Sequence, residues 1–86
     1  MTHTINVLRL KTAKAIIDRC YVADKTSSCS FSPNNMAVHG VNIDAVAIKA
    51  ANGWDITISS SVYELSTLQR LVNDVFAAIA NRKAAK

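Results

Sequence analysis

Two cysteines, two histidines and six carboxylates are the side chains here that could bind a metal or move a proton. Their spacing argues against both uses. A tetrahedral zinc site needs ligands clamped in close pairs, such as Cys-x-x-Cys or His-x-x-x-His. Cys20, Cys29, His3 and His39 stand singly, so no metal and no cofactor is expected. Carboxylate catalysis needs two groups whose surroundings push their pKa values apart. Asp18, Asp24, Asp44, Asp55, Glu64 and Asp74 are scattered one by one. Ser59, Ser60 and Ser61 lack the glycine pattern of a nucleophile elbow. Two glycines in the whole chain cannot build a known phosphate-cradling loop. No catalytic set is visible, and the chain is expected not to be an enzyme.

Charge is the remaining chemical signal. The formal net charge is +4 and it is unevenly placed. Arg9, Lys11, Lys14, Arg19 and Lys25 outnumber Asp18 and Asp24 near the start, and Arg82, Lys83 and Lys86 have no acid near them. A nucleic-acid reading sets Arg9, Lys11, Lys14, Arg82, Lys83 and Lys86 against phosphates, contacts that position a protein without reading sequence. Few aromatics support it. Phe31, Trp54 and Phe76 are expected in the core, which leaves little for base stacking. The basic tail, about residues 82–86, also suits the negative end of a helix dipole.

That helix is the clearest element. Leu68, Leu71, Val72, Val75, Phe76 and Ile79 repeat at the 3.6-residue period. Ser61 with Glu64 and Ser66 with Gln69 both fit a capping box, and Leu65 on the stripe favours the earlier start. A shorter N-terminal helix buries Ala13, Ile16, Ile17 and Cys20. Extending it back to Ile5 would put Arg9 in its apolar stripe, so a start near Thr12 is expected. The residues before it alternate weakly, as an extended segment does. Residues 26–40 fit a hairpin in which Phe31 faces Met36 and Cys29 faces Val38. They also fit a short helix with Ser32 as cap and Pro33 first; the hairpin is preferred.

The stretch "VAIKAANGWDITI", Val46 to Ile58, reads as a second hairpin around Asn52-Gly53. Its register follows from matching side chains across the strands. If Asn52 and Gly53 alone form the loop, Lys49 opposes Ile56, and polar meets apolar throughout. A loop of Ala51, Asn52 and Gly53 instead sets Ala50 against Trp54, Ile48 against Ile56 and Val46 against Ile58. The other face then holds Ala45, Ala47, Thr57 and Ser59, with Lys49 opposite Asp55. A one-residue slip moves every side chain to the wrong face, so the second register is expected.

The expected fold is α+β: a small antiparallel sheet of three to four strands against a long C-terminal and a shorter N-terminal helix. Eighty-six residues make one domain with a small core. Half are hydrophobic and only 19% charged, an apolar balance that leaves surface for a partner or second copy. The small, nearly uncharged set Ala45, Ala47, Thr57 and Ser59 is the expected partner-binding surface. No run approaches a membrane span, and the N-terminus lacks the apolar stretch of a signal peptide. A cytoplasmic interaction protein follows, binding and inhibiting a protein partner and able to form a homo-oligomer. Compact, motif-free chains of this kind suit regulators encoded by bacteria or their phages.

Overall fold

A computed structural model describes residues 1–84, with side chains to Asn81. Its order is β1 (Thr2–Val7), α1 (Leu10–Ala23), β2 (Ser28–Ser32), β3 (Asn35–His39), β4 (Asp44–Ala50), β5 (Gly53–Ser59) and α2 (Leu65–Ala84). The class is α+β, with five strands where three to four were expected. The N-terminal segment returns to pair with β5, giving a sheet ordered β1-β5-β4-β3-β2 with every neighbour antiparallel.

Both helices cover the same face. α1 lies across β3, β4 and β5, while α2 packs on α1 and β1. The core joins Ile16, Ile17 and Cys20 of α1, Leu68, Leu71 and Val72 of α2, and inward strand residues led by Val38, Ile56 and Ile58. Val7, Met36 and Trp54 widen that inward layer. Phe31 and Phe76, expected in the core, are 52% and 42% exposed. Phe31 stands on the outermost strand β2, with Lys14 of α1 over its ring.

α1 starts at Leu10 rather than near Thr12, and its cap residue Arg9 makes no side-chain cap hydrogen bond. The alternative of a helix over residues 32–40 is excluded. Phe31 pairs with Met36 and Cys29 with Val38. α2 begins at Leu65, between the two expected starts. The turn before it is organised by Ser60 instead. Its hydroxyl donates to the Asn42 carbonyl at 2.6 Å and accepts from the Tyr63 N–H at 2.8 Å and the Val62 N–H at 3.0 Å.

The central hairpin takes a third register. Ala50 pairs with Gly53, so the loop is Ala51-Asn52, and Trp54, Ile56 and Ile58 stand opposite Lys49, Ala47 and Ala45. The expected pairing of Ile48 with Ile56 is therefore wrong by one residue. The reason lies in the helical layer. α1 crosses β4, and the small Ala45 and Ala47 let it approach while the large residues of β5 fill the space beside it. Gly53 makes the turn possible. Its φ is +109°, and a Cβ there would stand 2.2 Å from the Val7 carbonyl oxygen.

Candidate interaction surface

The new register redraws the surface proposed from sequence. Ala45 and Ala47 are fully buried beneath α1, so they cannot meet a partner. Thr57 and Ser59 are half-buried on the opposite face, which no helix covers. The four residues are thus split between the two sides of the sheet. Val46 stands opposite Thr57, where Ala47 was expected, Asp44 opposite Ser59 in place of Ala45, and Ile48 opposite Asp55 in place of Lys49.

The strand pairing orders this open face in three rows. One runs Thr4, Thr57, Val46, Ala37, Ser30 from β1 to β2. On one side lies Thr2, Ser59, Asp44, His39, Ser28, and on the other Asn6, Asp55, Ile48, Asn35, Ser32. Val46, Ile48 and Ala37 form an apolar centre on the two inner strands, and hydroxyls and amides surround it. Asp44 and Asp55 are its only carboxylates, and both have cross-strand partners. Asp44 lies 3.6 Å from His39 Nδ1 and accepts from the Gly40 N–H at 3.3 Å. Asp55 accepts from the Asn6 amide at 2.8 Å. Ile48 is 56% exposed, a large aliphatic side chain in the middle of a sheet with nothing above it.

The basic residues lie elsewhere and are partly engaged. Lys11 and Lys14 project from α1 and Arg9 precedes it. Lys14 Nζ sits 5.6 Å from the centre of the Phe31 ring, and Arg19 reaches Asp74 at 3.6 Å. The side chains of Arg82 and Lys83, and the whole of Lys86, lie outside the described residues. Between α1 and α2 runs an open apolar groove lined by Ala15, Val22, Val75 and Ile79, which the Arg19–Asp74 pair borders.

The side chains with chemical potential are placed for structure. Burial pushes the Cys20 thiol up to about 11, against the opposing effect of Arg19. Burial, then the Asp18 carboxylate, also raises Cys29. Raised thiols hold less of the nucleophilic thiolate. Among the described residues no three His, Cys, Asp or Glu side chains gather where an ion could be held.

Asp24, read from sequence as one scattered acid, is instead the hub of the polar interior. It is buried at the C-cap of α1. Its carboxylate accepts from the Thr26 hydroxyl at 2.6 Å, the Thr26 N–H at 3.0 Å, the Asn42 N–H at 2.9 Å and the Ile43 N–H at 3.1 Å. The Thr26 hydroxyl does most to lower its pKa from 3.8 to about 2, the three N–H donors add to it, and burial opposes them. Gly40 completes the site, since a Cβ there would stand 2.3 Å from Asp24 Oδ2. The group staples the end of α1 to the β3–β4 connection. The sequence signal for it was local: Asp-x-Thr after a helical stripe, the pattern of an Asx turn.

No family model, curated protein or solved structure matches this chain. No described helix is long and apolar enough to cross a membrane.

Proposed function

We propose that this chain is a non-catalytic interaction protein that seats a partner protein on its open sheet face, regulating or inhibiting that partner by covering part of it. One observation carries the reading: a five-stranded face bears no lysine or arginine, and its two carboxylates are already bonded to neighbouring strands. A partner arriving there desolvates few unpaired charges, which is the costly part of burying a polar surface. The layout, an apolar centre within an uncharged polar rim, follows the anatomy of protein interfaces, whose cores are depleted of charge. Five strands at about 4.8 Å spacing and about seven residues of length give a footprint of roughly 500 Å². That is the scale of one side of a modest interface.

Phosphate backbones suit this face poorly, because Asp44 and Asp55 would repel them and no cation answers. A partner with a neutral or mildly basic apolar surface fits better. The test is co-purification from the native host with tagged wild type, Val46→Arg and Thr57→Arg. Both variants should keep the wild-type circular dichroism and melting curve and lose the co-purifying protein. Retention of the same partner by both, at wild-type yield, removes this face from consideration.

A further inference from the structure

The strand register gathers unlike residues at one end of the molecule. β1 closes there at Val7 opposite Trp54, and β4 and β5 meet at the Ala51-Asn52 turn. The Lys49 N–H donates to the Asn34 carbonyl at 2.8 Å, which ties in the β2–β3 turn. α1 opens at the same end, with Arg9, Lys11 and Lys14 exposed. Lys49, also exposed, stands opposite Trp54 on the helical side of the sheet. Asp24, Asp44 and Glu64 belong to the other end, and Asp18 and Asp74 line the groove further along the helices. Among the described residues Asp55 is the carboxylate near the basic end. It lies on the opposite face, held by the Asn6 amide at 2.8 Å. Phe31 and Phe76 reach this end too. Both were expected in the core, which would leave little for base stacking, yet both stand half exposed. Lys14 Nζ is 5.6 Å from the centre of the Phe31 ring, and Phe76 borders an open hollow with Leu8, Arg9 and Thr12.

We propose that this basic end binds single-stranded nucleic acid across the start of α1, with bases stacked on Phe31 and Phe76 and phosphates held by Arg9, Lys11, Lys14 and Lys49. Proteins that hold single strands combine a positive track for the backbone with aromatic side chains for the bases. Exposed rings select unpaired bases, since a duplex keeps its own bases stacked inside. Lys14 is placed to hold the phosphate of a nucleotide resting on Phe31, and Arg9 does the same beside Phe76. The rings stand near β2 and β1, so the width of the sheet separates them. Four strand spacings of about 4.8 Å make that roughly 19 Å. This is the scale of the shortest single-strand sites, which take about four nucleotides. Stacking and phosphate contacts tolerate any sequence, so DNA and RNA strands both fit. The open sheet face uses other residues, so each reading fails or survives separately.

The experiment is fluorescence anisotropy of labelled oligo-dT and oligo-U strands of about ten nucleotides, titrated with the full chain at low and moderate salt. Wild type should bind them more tightly than a duplex of the same length, with affinity falling steeply as salt rises. The tighter of the two strands tells DNA from RNA as the ligand. Phe31→Ala and Phe76→Ala should each weaken binding roughly tenfold and leave the salt slope unchanged. Lys11→Gln and Lys49→Gln should each flatten the slope of log affinity against log salt by about 0.7. All four side chains are exposed, so circular dichroism and melting should match wild type. Val46→Arg should bind no more weakly than wild type; a loss there would move the site to the sheet face and overturn the proposal. No binding at low salt overturns it as well. So does a duplex bound as tightly as a single strand, or an affinity indifferent to both phenylalanines. Leu8 and Leu10 are exposed on either side of Arg9. Binding to phosphatidylserine vesicles without binding to either strand would therefore assign this end to a membrane surface and end the nucleic-acid reading.

Discussion

β5 presents Trp54, Ile56 and Ile58 to the helices and Asp55, Thr57 and Ser59 to the outside; β4 presents Ala45 and Ala47 inward and Val46 and Ile48 outward. On β5 the size and polarity of the side chains announce which face is covered. On β4 they announce the reverse, since the larger aliphatic residues stand in the open. The difference shows that a strand's inner face need not be its bulkiest. Where a helix comes close the inner residues must be small, and the apolar groups left outside are free for another task.

The largest effect that could break this contrast is a charge placed on β4. Ala47→Arg puts a guanidinium at a fully buried position under α1. A loss on the order of 4 kcal/mol or more is expected, enough to unfold a domain of this size. Val46→Arg, one residue away, should melt within a few degrees of wild type. Equal destabilisation of the two would mean that the faces are assigned wrongly.

This contrast also marks what could be read from sequence. Both helices, the hairpin of β2 and β3 and the inward set on β5 follow from periodicity, and local pattern suffices for them. The register of β4 does not. Matching Ile48 to Ile56 is a two-strand argument, whereas the pairing is settled by α1 in the layer above the sheet and by the contact of Gly53 with the end of β1. β1 itself was visible only as a weak alternation, because it gains its stability from pairing with a strand some fifty residues on. The interaction surface was half legible for the same reason. Thr57 and Ser59 keep their place, while Val46 and Asp44 stand opposite them where Ala47 and Ala45 were expected.

Asp24 offers a middle-sized effect and separates a structural carboxylate from the two on the open face. Its folded pKa is about 2 against 3.8 for the free group. A lowered value means the folded state favours the ionised form. Its contribution is complete above about pH 4 and is lost as pH falls from there towards 2. Asp24→Asn puts an amide N–H₂ group in place of one carboxylate oxygen, and that group cannot accept from the surrounding donors. The variant should be clearly less stable than wild type at neutral pH, with the gap narrowing as denaturation is repeated at lower pH. A gap that stays constant down to pH 2 would contradict the role given to the carboxylate. Asp44→Asn should change stability little, since its contacts are exposed and long.

The smallest effect is the sharpest control on the comparison of faces, because it uses one residue type twice. Ile56 is fully buried and Ile48 is 56% exposed, on neighbouring strands of one sheet. Ile56→Ala removes the same atoms as Ile48→Ala. The first leaves a cavity between β5 and α1 and should cost about 2–5 kcal/mol. The second removes a side chain already in water and should cost no more than about 0.5 kcal/mol. Urea denaturation of both variants measures the difference directly. A cost above about 1.5 kcal/mol for Ile48→Ala in the isolated chain would mean that something covers the open face. The described residues supply no such cover, so the sheet face itself would then be buried between copies in solution.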